Sequence, residues 1–318
     1  MEHRPLGRSG VEVSRIILGC GNFGGIGSSP AFFGAGETEG EAHALLDAAW
    51  DAGITTLDTA DAYGGGRSET FIGSWLRRQP AEVRERIVLT TKTFNPMSEG
   101  ADHGLAPDRI RRQLDSSLER LGVEAVDLYL AHAIDPETPV QETVDAFAHL
   151  VAAGKIRAYG GSNVDAAWLE RALAAGRPDW VQNSYSLLDR ADENAVLPLV
   201  ARAGLGYTPF SPLAGGWLTG KYRRGEAAPE GSRMTLRPEP YAHLQDERTF
   251  DALEAFGAAA RERGTTPAAL AVAWLLGHPH VTAVVIGPRR PDQLAPALEA
   301  LDLRLSPPER EQIGALFA

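Results

Sequence analysis

The chain alternates between two periodicities. Short apolar, β-branched runs recur, and between them lie longer stretches whose apolar residues repeat every three or four positions. The runs fall at residues 16–18, 55–57, 87–90, 126–130, 156–159, 180–182, 205–209 and 284–286. Each reads as a strand, and most follow the last at roughly the ~30–40 residues of one strand–helix unit. Several are apolar throughout rather than at alternate positions, the pattern of parallel strands covered on both faces. In the first intervening stretch Ala42, Leu45, Leu46, Ala49 and Trp50 share one helical face. Thr38 with Glu41, Thr138 with Gln141 and Ser306 with Glu309 have the spacing of capping boxes. Pro139, Pro267 and Pro307 stand at first helical positions. Gly53, Gly122, Gly154, Gly176 and Gly204 fall where a helix must stop before the next strand.

This pattern predicts an α/β fold, a (β/α)8 TIM barrel spanning residues 1–318 as one domain, with an N-terminal β-hairpin and long loops at its C-terminal face. The competing arrangement is an open, doubly wound sheet. Gly19-Cys20-Gly21-Asn22-Phe23-Gly24 has the spacing of a dinucleotide fingerprint, but glycine-rich sequence follows where a helix should open. Two stretches break the rhythm, 24–37 after the first run and 214–245 after the seventh. In a barrel both belong to the C-terminal face, where sites are built.

Composition narrows the partners. With 43% hydrophobic residues among 318, the chain can bury a large core. A net charge of -11 opposes a nucleic-acid partner. The single cysteine, Cys20, forms no intrachain disulfide and fits a reducing compartment. Residues 1–10 are polar, and the longest apolar run, 268–276, falls short of the ~20 residues of a membrane helix. The expectation is a cytoplasmic protein with neither nucleic-acid nor membrane partner. Its oligomeric state is not written in the sequence, and monomer is the default.

Four polar residues fall at strand ends: Asp58 on the second, Tyr63 five residues later, Lys92 on the third and His132 on the fourth. In a barrel these ends converge on one mouth. A tyrosine with a pKa near ~10 shuttles protons poorly at neutral pH. A neighbouring ammonium favours the phenolate and should lower that pKa. Lys92 can supply the charge, Asp58 can hold Lys92 in a buried ion pair, and His132 can donate to a carbonyl oxygen. Together they make a general acid with an oxyanion-binding partner. Alone, each has a plainer explanation as a cap, a satisfied core group or a solvated charge, but four at successive strand ends carry more weight. His278-Pro279-His280 has the spacing of a metal-binding pair but precedes the eighth strand, at the opposite end. No metal site is expected.

From Pro5-Leu6-Gly7 to the last helix, the sequence resembles the aldo-keto reductase family. Asp58, Tyr63, Lys92 and His132 match that family's catalytic tetrad in order and approximate spacing. The resemblance implies hydride transfer from NADPH to a small aldehyde or ketone, with Tyr63 protonating the oxygen. Gly160-Gly161-Ser162-Asn163 resembles the family's Gly-x-Ser-Asn, so Ser162, Asn163 and Gln182 are implied to hold the nicotinamide carboxamide. Phe210-Ser211-Pro212-Leu213 is similar to its aromatic-Ser-Pro-Leu, which implies that Phe210 stacks on the nicotinamide ring. Ser211, Leu213, Gly215, Gly220 and Lys221 fall on the loop that resembles its pyrophosphate strap, and Asn22 and Phe23 join the cofactor-binding set. The segment from Gly287 through Arg289 to Gln293 resembles its adenosine 2'-phosphate site, with Arg289 on the phosphate and Gln293 along the adenosine. The family often has Glu-Asn soon afterwards; this chain has Pro296-Ala297. Phe23, Tyr63, His132 and the loop aromatics Phe32, Phe33 and Trp217 are the expected substrate wall. A second reading follows from family members that bind nucleotide chiefly as partners of membrane channels.

Overall fold

The computed structural model describes residues 1–318. An antiparallel pair, β1 (His3–Pro5) and β2 (Glu12–Ser14), leads into eight parallel strands. These are β3 (Ile16–Gly19), β4 (Thr56–Asp58), β5 (Val88–Thr93), β6 (Val126–Ala131), β7 (Ile156–Ser162), β8 (Trp180–Gln182), β9 (Gly206–Tyr207) and β10 (Val284–Ile286). The ladder runs β10-β3-β4-β5-β6-β7-β8-β9. Its two ends meet: the Thr282 N–H donates to the Tyr207 carbonyl at 2.8 Å and the Val285 N–H to Pro209 at 2.9 Å. The sheet therefore closes into a (β/α)8 barrel behind a hairpin. Every expected strand is present. β9 is shorter than the 205–209 run, because Pro209 brings no N–H to the ladder.

The all-apolar strands separate two cores. Ile16, Leu18, Val284 and Ile286 face the helices, while Ile17 and Val285 face the barrel axis. On the axis, Leu6, Val11 and Val13 of the hairpin segment pack against Ile17, Leu128, Leu130, Ala158, Trp180, Ala283 and Val285. Burying each large side chain contributes ~1.5–3 kcal/mol, so the hairpin is a firm floor to the barrel. Toward the strand C-termini the interior turns polar: Asp58, Lys92, His132, Ser162 and Gln182 are all buried there. No helix is long and apolar enough to cross a membrane.

The capping boxes at Thr38 and Ser306 form. The one expected at Thr138 does not: its hydroxyl donates to Asp135 Oδ2 at 2.8 Å, and the helix Val140–Ala152 starts after Pro139. Gly53, Gly122, Gly154 and Gly204 take left-handed backbone at their helix ends. Gly176 instead is extended. Of the expected face of the helix Glu39–Asp51, only Trp50 is partly exposed, beneath the Arg86 guanidinium.

Candidate active site

Beyond β4 the chain turns sharply at Tyr63–Gly66, where Gly64, Gly65 and Gly66 have φ of 60°, 68° and 90°. Three consecutive left-handed residues would cost side-chain-bearing positions ~1–2 kcal/mol each. The turn brings Tyr63 back over the barrel mouth, where a Cβ on Gly21 would stand 3.5 Å from its ring.

The four strand-end residues meet. Lys92 Nζ donates to Asp58 Oδ2 at 2.7 Å, to the Thr59 carbonyl at 3.0 Å and to the Tyr63 hydroxyl at 3.4 Å. The Tyr63 hydroxyl lies 3.5 Å from His132 Nε2, with the two rings edge to face. Gln182 Nε2 donates to Asp58 Oδ1 at 3.0 Å, so both Asp58 oxygens are engaged. Asn95, not singled out in the sequence, donates from Nδ2 to His132 Nδ1 at 3.1 Å. A donor there places the imidazole hydrogen on Nε2, facing Tyr63. The only sequence signal for Asn95 is its position just past β5.

Burial governs the titration of this group. It pushes the Tyr63 phenol above its ordinary pKa, outweighing the opposite pull of Lys92. The expected lowering is thus corrected: in this structure the desolvation of phenolate exceeds the ammonium's attraction. Burial also favours neutral Lys92, but the charges of Asp58 and Tyr63 reverse that and raise its pKa. His132 is pushed well below the imidazole range by burial and then by the Lys92 charge, and stays neutral.

Asp61, two residues before Tyr63, is fully buried with Oδ1 unpartnered. Its Oδ2 accepts from Thr93 Oγ1 at 2.7 Å, and Thr93 in turn accepts from Arg109 at 2.9 Å. Burial, reinforced by nearby Glu69, lifts its pKa to about 7. An unfolded aspartate titrates near ~3.9, so folding favours the protonated form. That contribution is complete at low pH and is lost as pH rises through about 7. Asp61→Asn should therefore be more stable than the parent at pH 8.5, by ~2–4 kcal/mol, and nearly equal to it at pH 4. Urea unfolding at both pH values measures this; equal stability at pH 8.5 would remove Asp61 as a strained group.

The expected cofactor residues lie at the ends of β7 and β8 and on the segments that follow β3, β7, β9 and β10. Ser162 and Asn163 close β7; Asn163 has φ 54° and donates from Nδ2 to the His132 carbonyl at 2.8 Å. Phe210 is half-buried against the inner core. After it, Ser211, Ala214, Gly215 and Gly216 have φ of 54°, 45°, 64° and 98°, a tightly coiled segment in which Pro212 is buried and Leu213 half-buried. A Cβ on Gly215 would stand 2.6 Å from the Tyr241 ring, so glycine is required for this packing. Gly220 and Lys221 are exposed, with the Lys221 ammonium over the Tyr222 ring. Gly287 is exposed, and Gln293 Oε1 accepts from the Arg289 N–H at 2.7 Å. Three side chains tie the loops together: Arg233 donates to Asn22 Oδ1 at 3.1 Å, Arg237 to the Ile26 carbonyl, and Arg289 to Glu37 Oε1 at 2.5 Å. No motif in the sequence marks Arg233 or Glu37 as a site residue. The part-exposed Arg289 guanidinium, the half-buried Phe210 ring and the polar residues around Tyr63 are groups that a nicotinamide dinucleotide could meet.

Two expected wall residues face elsewhere. The Phe23 side chain is wholly buried in the outer core, leaving only its backbone near the mouth. Trp217 is likewise buried, packed on Tyr222 and Phe250. Phe32 lies beneath the Arg237 guanidinium and Phe33 against Gly65, both beside the Tyr63 turn. His278 and His280 sit before β10, with His278 edge-on to Tyr185, away from the mouth.

A family model described as the aldo/keto reductase family matches residues 15–317. The chain belongs to the aldo/keto reductase family and is an oxidoreductase. It is 36% identical to the uncharacterized oxidoreductase YrpG of Bacillus subtilis, covering 100% of this chain and 96% of that protein. It is 33% identical to the NADH-specific methylglyoxal reductase of Escherichia coli, over 96% of this chain and 95% of that one. A putative voltage-gated potassium channel subunit beta of Schizosaccharomyces pombe is 34% identical, over 99% and 92%.

Proposed function

We propose that this protein reduces the carbonyl of a small aldehyde or ketone, with NADPH as hydride donor and Tyr63 as proton donor. The observation that carries the reading is the Tyr63 hydroxyl, held between Lys92 Nζ at 3.4 Å and His132 Nε2 at 3.5 Å in a buried polar well. When bound, the nicotinamide supplies hydride to the carbonyl carbon. Tyr63 keeps its proton at neutral pH because burial disfavours the phenolate. Lys92 then stabilises the phenolate as the proton leaves, and Asp58 keeps Lys92 charged and aimed. Neutral His132 donates from Nε2 to the carbonyl oxygen as negative charge develops there.

Ser162, Asn163 and the free oxygen of Gln182 orient the carboxamide, and Phe210 offers its ring face. Asn22, the backbone of Phe23, Ser211, Pro212, Leu213, Gly215, Gly220 and Lys221 follow the pyrophosphate. Gly287, Arg289 and Gln293 take the adenosine end. The Arg289 guanidinium supports NADPH, since its fork matches a phosphate. A reducing cytoplasm suits Cys20, a buried free thiol.

The test is steady-state oxidation of NADPH and of NADH against a panel of aldehydes and ketones. Turnover of ~1–10³ s⁻¹ with at least one carbonyl is expected. Tight nucleotide binding with no turnover on any of them would overturn the reading. It would favour a nucleotide-binding role without turnover instead; the Schizosaccharomyces pombe relative is named as a putative channel subunit rather than as an enzyme.

A further inference from the structure

Three loops build one corner of the mouth from a carboxylate and two guanidiniums. Glu37 ends the loop after β3, Arg233 lies on the long loop after β9, and Arg289 follows β10. Glu37 Oε1 accepts from Arg289 Nε at 2.5 Å. The Glu37 side chain is only 4% exposed, and its second oxygen, Oε2, is buried without a hydrogen-bond partner. Arg289 is 38% exposed, so part of its guanidinium remains open to a ligand. Its Nη1 reaches the Gly231 carbonyl at 3.4 Å, a long contact. Arg233 is mostly buried; burial weakens its hold on its proton, and the Glu37 charge supports it.

An oxygen closed to solvent is also closed to a ligand, so Glu37 acts on a bound dinucleotide through its charge and its hold on Arg289. A phosphate dianion gripped by Arg289 meets the Glu37 carboxylate paired with the same guanidinium. Glu37 also neutralises the arginine that would otherwise grip the phosphate. We infer that Glu37 is a specificity-determining residue: paired with Arg289, it weakens the grip on a 2'-phosphate and so narrows the preference for NADPH over NADH. This rests on the assignment of the Arg289 corner to the adenosine end. Specificity of this kind comes from a repulsive element set against one of two competing ligands. Glu37 therefore holds back an NADPH preference that an unpaired Arg289 would make strong.

Equilibrium titration of the full chain with NADH and with NADPH, followed by calorimetry, tests the inference without catalysis. Glu37→Gln keeps the shape and an acceptor for Arg289 but removes the charge. Its Kd for NADPH should fall ~10-fold or more, while its Kd for NADH changes by less than ~3-fold, because a unit charge a few ångströms away is removed from the phosphate alone. Glu37→Asp, which keeps the charge, should hold the parent ratio within ~3-fold by the same argument. An unchanged ratio in Glu37→Gln, or equal shifts for both dinucleotides, overturns the role of Glu37 and leaves the dinucleotide reading standing. A parent protein that binds neither dinucleotide overturns both.

Discussion

Tyr63→Phe should lower kcat by ~10²–10⁴-fold while dinucleotide affinity stays within ~2-fold of the parent. The substitution deletes one oxygen. The ring remains, with the Lys92 ammonium 5.0 Å from its centre and the His132 ring 5.4 Å away, so the packing that holds both neighbours survives. What is lost is the group that delivers a proton as charge builds on the carbonyl oxygen. That interaction exists only in the transition state, so kcat and kcat/KM should fall together. The raised pKa of Tyr63 fixes the sign of the pH dependence: reduction by the parent should persist through neutral pH and decline only in the alkaline range, as the phenol ionises. The Phe variant should lack that alkaline limb. A fall in kcat of less than ~10-fold would move the proton donor elsewhere, with His132 the next candidate.

Asp58→Ala should be the most damaging single change to the fold of the mouth. Lys92 is 1% exposed and Asp58 3%, and the pair is closed at 2.7 Å. Removing the carboxylate leaves a buried ammonium with only the Thr59 carbonyl and the Tyr63 hydroxyl as acceptors. Breaking a buried pair in this way costs ~3–5 kcal/mol. The amine should then shed its proton, and with it the charge that steadies the Tyr63 phenolate. Asp58→Ala combined with Lys92→Met separates the two consequences. Replacing both ions by apolar groups should restore most of the stability, because the unpaired charge is gone, yet leave turnover as low as in the single variant. Denaturant unfolding and steady-state rates on the three proteins measure it. If the double variant is no more stable than Asp58→Ala, the ion pair is not what the single substitution damages.

The barrel was legible because its strands are apolar on both faces, and the structure shows why: Ile17 and Val285 line the axis while their neighbours pack under helices. The convergence of Asp58, Tyr63, Lys92 and His132 was legible for a similar reason, since strand ends of a closed parallel sheet share one rim. Loop residues were not. Trp217 and Phe23 read as site aromatics, but a long loop needs its own anchors, and these two side chains are that anchorage. Glu37 and Arg233 lie 196 positions apart on separate loops, and nothing local in sequence joins them. Charge alone gives the wrong direction for the Tyr63 shift; depth of burial decides it, and depth is a property of the assembled mouth. At Thr138 the nearby Asp135 captured the hydroxyl, a competition that spacing rules do not register.

Leu6, Val11 and Val13 cork one end of the barrel. Traffic through the molecule thus has a single doorway, shared by everything that arrives and everything that departs. On the proposed reading a ligand approaches from the strand C-termini, and the hairpin fixes that side of the barrel without contacting it.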